Sequence, residues 1–151
     1  MVKLSVVCDY FADSGYGIHS RNLVNALIEA DVEVSVICNR PQQWSRLLTD
    51  KQLKAFLRDP ADSEIQLLIT LPNIASMYLA SGKPTLQYVV WEGDKIPLSW
   101  LNILQDERIK YILVPSEHTK SAILNTSKEN HPSWIEITSS GYGRNGTDEM
   151  I

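Results

Sequence analysis

The residues best suited to chemistry come early, where Asp9-Tyr10-Phe11-Ala12-Asp13-Ser14-Gly15-Tyr16-Gly17 follows an apolar run and precedes an amphipathic stretch. Gly15 and Gly17 lack the Cβ atoms that would hold a ligand away from the backbone. The unpaired amides of a following helix carry partial positive charge suited to phosphate. Glycines before a helix also serve purely as turn residues, and that reading fits equally well. Ser20 stands at the third-glycine position of the dinucleotide fingerprint, and no Gly-Lys-Ser/Thr follows, so neither that motif nor the P-loop applies. His19 and Arg21 are placed either to face a phosphate or to give the helix its polar side. Cys8 and Cys38 end two apolar runs, where small buried thiols are usual, and no Cys-x-x-Cys or histidine cluster offers a metal site.

These residues must be carried by alternating strands and helices. Lys3 to Cys8 reads as a buried strand. Ile18 to Ala30 reads as a helix with Ser20, Leu23, Val24 and Leu27 on one stripe. Glu33 to Cys38 is a second strand, followed by a helix over Gln43 to Arg58 that packs through Trp44, Leu47, Leu48, Leu53, Phe56 and Leu57 and ends at Pro60. Ile65 to Leu71 is apolar enough for a strand covered on both faces, and Pro72 opens a helix to about Ala80. Thr85 to Trp91 is a fourth strand, Pro97 starts a helix with Leu98, Leu101 and Leu104, and Ile109 to Val114 is a fifth strand. Ser116 caps the next helix, with Glu117 in its first turn where negative charge suits the dipole. Ile135 to Ile137 predicts a last short strand. The rhythm predicts an α/β fold, a doubly wound, mainly parallel Rossmann-like sheet with helices on both faces.

Composition narrows the partners. The 151 residues suit one domain, residues 1–138, followed by a turn-rich linker or truncated tail at 139–151. With 44% hydrophobic and 21% charged residues the chain has the make-up of a soluble globule, and its net charge of −4 without a basic block predicts no nucleic-acid partner. No apolar run is long enough for a transmembrane segment, and Met1-Val2-Lys3 leads into a strand without a secretory signal, so a cytoplasmic location is expected.

Three stretches in order bring a family into view. The Gly15-Tyr16-Gly17 turn with Ser20-Arg21-Asn22-Leu23, the segment from Val90 to Trp100, and Leu113-Val114-Pro115-Ser116-Glu117-His118-Thr119-Lys120 resemble the amino-terminal half of group 1 glycosyltransferases. The resemblance spans about Lys3 to Ile137. It implies a retaining enzyme of GT-B fold, with two Rossmann-like domains and the active site in the cleft between them. The amino-terminal domain of such an enzyme mainly holds a small-molecule or glycan acceptor, and the donor is a nucleotide sugar bound as substrate; no metal or other cofactor is implied. Carried over, this assigns backbone contacts with donor phosphate and sugar to Gly15, Tyr16 and Gly17. It sets Glu92, Gly93 and Asp94 at the cleft, where carboxylates accept hydrogen bonds from hydroxyls, although Glu92 and Asp94 also read as solvated charges ahead of Pro97. Ser116 adds a cleft role to its cap, while Trp91 and Trp100 read as packing.

The departures from the family matter too. Its carboxy-terminal donor-binding domain, with a basic residue for the diphosphate and a Glu-x7-Glu element, has no counterpart, and no two glutamates here have that spacing. Retaining transfer needs the departing diphosphate neutralised by groups from both domains, so this chain is expected to be an acceptor-side domain that is inactive alone. Two alternatives stay open: a stand-alone binding or regulatory module of the same fold, and a single-domain nucleotide or phosphate binder.

Overall fold

The computed structural model describes residues 1–38 and 48–130. Ten main elements alternate: β1 (Lys3–Cys8), α1 (Gly15–Glu29), β2 (Glu33–Cys38), α2 (Asp50–Leu57), β3 (Ile65–Leu68), α3 (Pro72–Leu79), β4 (Thr85–Tyr88), α4 (Leu98–Leu104), β5 (Ile109–Leu113) and α5 (Glu117–Asn130), with a short 3-10 turn at Pro60–Asp62. The strands form one parallel sheet in the order β2-β1-β3-β4-β5, a Rossmann-like α/β fold as the alternation predicts. The chain divides into two compact units, Met1–Thr70 and the part from Leu71 onward.

In the first unit β1 is central, paired with β2 from Lys3↔Glu33 to Cys8↔Cys38 and with β3 from Leu4↔Ile65 to Val7↔Leu68. Strand order reverses beside β1, and ligands of open α/β sheets bind past the carboxyl ends of the strands at such a reversal. From Leu4 to Cys8 every β1 residue is buried, because a parallel strand is covered on both faces. Burying each large apolar side chain there contributes about 1.5–3 kcal/mol.

α1 starts three residues before the expected Ile18. Ser14 is its N-cap, accepting from Gly17 N at 3.3 Å, so Gly15-Tyr16-Gly17 is the first helical turn and not a preceding loop. α1 ends on Asp31 in the left-handed region (φ 60°), with Val32 N donating to Leu27 O. α2 is shorter than expected. A capping box sets its start, Thr49 accepting from Gln52 N while the Gln52 side chain accepts from Thr49 N. Of the packing residues expected there, Trp44 and Leu47 lie outside the described residues, Leu48 precedes the helix, and Leu53 and Leu57 are exposed. Phe56 takes the inner side as expected, packing edge-on to Tyr10 and stacking on Phe11 with ring centroids at 5.0 and 5.4 Å, and Ala55 is buried beside it.

The second unit buries Leu79, Val89, Leu101, Leu104, Ile112 and Ile123 in one cluster, with Trp91 and Trp100 packed against it and edge to face with each other, 5.1 Å between centroids. β4 pairs with β5 in parallel, from Thr85↔Ile109 to Tyr88↔Leu113, with a bulge between Thr85 and Leu86. β3 and β4 stop short of the expected Leu71 and Trp91. Ile69 and Val89 are still buried, and each donates one more hydrogen bond, to Val7 O and Leu113 O, before the chain leaves the ladder. The expected strand at 135–137 and the tail at 139–151 lie outside the described residues. Among the described residues no helix is long and apolar enough to cross a membrane.

Candidate functional site

The first group of candidates sits at the carboxyl end of β1. The turn from Asp9 to Ser14 is held by its own polar groups: Ala12 N donates to Asp9 O at 3.1 Å, and Arg21 Nη1 donates to Tyr10 O and Ala12 O at 2.8 and 2.7 Å. Arg21 is thus spent on the turn and fixes its shape. Gly17 is buried under it, and a Cβ there would stand 1.9 Å from Ala12 O. The volume that Gly17 vacates is filled by the chain itself. At Gly15, by contrast, a Cβ would meet nothing within 4 Å, so this residue faces open space. Tyr16 is half-buried between them. Burial lowers the His19 imidazole below its ordinary value, which favours the neutral ring.

Asp9, which the sequence reading passed over, is the residue after β1. Its Oδ1 is buried with no hydrogen-bond partner among the described residues. A buried acceptor in that state costs about 1–3 kcal/mol until a donor reaches it. An acceptor so placed suits a hydroxyl or amide donor. The signal was a carboxylate placed directly after the central strand of a parallel sheet.

The second group sits on the chain after β4 and on the start of α5. Here Ser116 is the cap that the sequence predicts, with Thr119 N donating to its Oγ at 3.2 Å and Lys120 N to its carbonyl. The segment from Trp91 to Ile96 is tied to α5 through its backbone. Thr119 Oγ1 donates to Trp91 O at 3.3 Å, His118 Nε2 to Glu92 O at 2.9 Å, and Asn125 Nδ2 to Asp94 O at 3.2 Å, while Ile96 N donates to Thr126 Oγ1 at 2.9 Å. A carbonyl only accepts, so His118 carries its proton on Nε2. Lys95 pairs with Glu129 across the same seam.

With the backbone so fixed, the carboxylates of Glu92 and Asp94 are exposed and carry no hydrogen bond or ion pair among the described residues. Gly93 lies over the indole edge of Trp91, where a Cβ would stand 2.8 Å from Nε1, so its small size serves packing. The structure therefore brings Glu92, Gly93 and Asp94 together with the Ser116 helix start, and Gly15, Tyr16 and Gly17 together with Asp9. The four tethering residues were missed, although 118, 119, 125 and 126 share one helical face. Two of them, Thr119 and Thr126, are polar at positions where α5 turns inward, at 1% and 4% exposure.

Among the described residues no cluster of three or more His, Cys, Asp or Glu side chains could hold a metal ion. A cavity of about 200 Å³ lies at the other edge of the sheet, by the amino-terminal ends of β1 and β2, lined by Lys3, Glu33, Ser35, Arg58 and their neighbours. Its charges are mixed, and Arg58 is bonded to Val34 O. No family model matches the sequence, and no curated protein matches it.

Proposed function

We propose that this chain is the acceptor-side domain of a retaining glycosyltransferase of GT-B architecture, moving a sugar from a nucleotide-sugar donor to an acceptor hydroxyl. The observation that carries the reading is the 91–96 segment, where Glu92 and Asp94 stand exposed and unpaired on a backbone secured by four α5 side chains. With the backbone already fixed, only the carboxylate side chains remain to be ordered when a hydroxyl binds, at about 0.5–1.5 kcal/mol each. The order of the three sequence motifs and the parallel α/β sheet support the same reading.

In this reading Glu92 and Asp94 orient the acceptor, and Gly15 lets the donor's sugar and phosphates approach the first turn of α1. The diphosphate is neutralised mainly by a separate carboxy-terminal domain that binds the nucleotide. The enzyme works in the cytoplasm, where nucleotide sugars are made.

The test is a titration of the chain, followed by backbone NMR, with a panel of sugar acceptors and separately with uridine and guanosine diphosphates. Sugars are expected to shift the signals of Glu92, Gly93 and Asp94, with E92Q and D94N abolishing the effect and nucleotides binding no more tightly than the millimolar range. Low-micromolar nucleotide affinity without any sugar response overturns the reading in favour of a single-domain nucleotide binder. Sugar binding by a native protein that has no donor domain favours the stand-alone module.

A further inference from the structure

We propose that Cys8 and Cys38 are a thiol-modification site, able to form a reversible disulfide that ties the carboxyl end of β1 to that of β2. The two residues are the last of their strands and are direct register partners in the parallel ladder. Adjacent strands run about 4.8 Å apart, inside the span of roughly 4.4–6.8 Å between Cα atoms that a disulfide bridges. Register partners on parallel strands project to the same face, so the two sulfurs are neighbours. Burial foremost, and then the charge of Cys38, push the Cys8 thiol up to about 12, so Cys8 is the slower of the two to react.

The two thiols are unequal in access, which orders the chemistry. Cys8 is fully buried at 0% exposure, whereas Cys38 is half-buried against the sequence expectation of a core thiol. A low-molecular-weight disulfide in solution therefore meets Cys38 first. The Cys38 thiolate attacks one sulfur of the reagent, forms a mixed disulfide and releases the other half as a thiolate. Cys8 then attacks the Cys38 sulfur and displaces the second half, which leaves as a thiol carrying the Cys8 proton. The two protein thiols are oxidised and one reagent disulfide is reduced to two thiols.

Strands lying side by side hold their Cα–Cβ bonds parallel rather than convergent, which leaves the Cβ atoms beyond the roughly 3.5–4.5 Å of a relaxed disulfide, so the strand ends draw together to close the bond and it is strained and readily reduced. Oxidation would stiffen the strand end from which Asp9 and the Ser14–Gly17 turn depart.

The experiment incubates the folded chain with oxidised glutathione and reads intact mass, then non-reducing peptide maps. The expected product is a monomer lighter by two hydrogens, with the Cys8 and Cys38 peptides joined and dithiothreitol restoring both thiols. C8A should stop at one glutathione on Cys38, and C38A should remain unmodified. A wild-type chain that keeps a glutathione on Cys38 without closing the bond, that reacts only in urea, or that links through Cys38 to a second copy overturns the proposal. These wild-type outcomes decide it even where a variant fails to fold.

Discussion

The Ala12 carbonyl oxygen occupies the place of a Gly17 side chain, 1.9 Å from where its Cβ would stand. A backbone atom cannot swing aside as a flexible side chain can, so Gly17→Ala must displace the whole β1–α1 turn. The expected cost is about 1–3 kcal/mol in urea unfolding. Gly15→Ala, with open space around it, should be neutral or stabilise by up to about 0.5 kcal/mol, because alanine lowers the entropy of the unfolded chain. Equal losses for the two variants would show that the turn is not built on this contact.

Arg21 holds the same turn from the other side through its two hydrogen bonds to Tyr10 O and Ala12 O. Arg21→Met keeps the stem and removes the donors. It should destabilise by about 1–2 kcal/mol and speed amide exchange through the 9–14 turn while leaving the centre of β1 protected. If exchange in the turn stays at its wild-type rate, the carbonyls are held by something else.

How much of this was legible depended on which physical term left its mark on the sequence. Strand identity and helix alternation were plain because buried parallel strands are largely apolar, and Lys3–Cys8 and Glu33–Cys38 match their expected limits. Strand ends were not, since apolarity reports burial and not pairing: Ile69 and Val89 stay buried after the ladder ends. The helix start at Gly15 was obscured because glycine is a poor helix former, and only the Ser14 cap, three residues ahead of Gly17, gave a local signal. On α2 the Thr49–Gln52 capping box was the better guide than counted leucines, two of which face water. The tethers of the 91–96 segment join residues some 26 to 31 positions apart, a relation that no local pattern encodes.

Thr126 is the most consequential of those tethers. Its hydroxyl accepts from Ile96 N at 2.9 Å and donates to Ala122 O at 2.9 Å, both within the interior. Thr126→Val fills the same volume and strands the Ile96 amide, so it should cost about 1–3 kcal/mol. It should also loosen the 91–96 segment, seen as faster amide exchange at Ile96, while Thr126→Ser retains most of the protection. If valine is tolerated without loss, the segment is held by its three other tethers and the packing of Ile96.

His19 makes stability depend on pH in a direction set by its burial. Burial lowers the folded-state value below 6.5, the ordinary one, so the unfolded chain binds the imidazole's proton more readily than the folded chain does. Stability from this group is therefore fully present above about pH 6.5 and falls as the pH drops toward the folded-state value. His19→Gln has no such proton to take up. Urea midpoints compared at about pH 8 and about pH 5 should converge for the variant more than for the wild type. A wild-type chain whose acid loss is matched in full by the variant would trace that loss to carboxylates and not to His19.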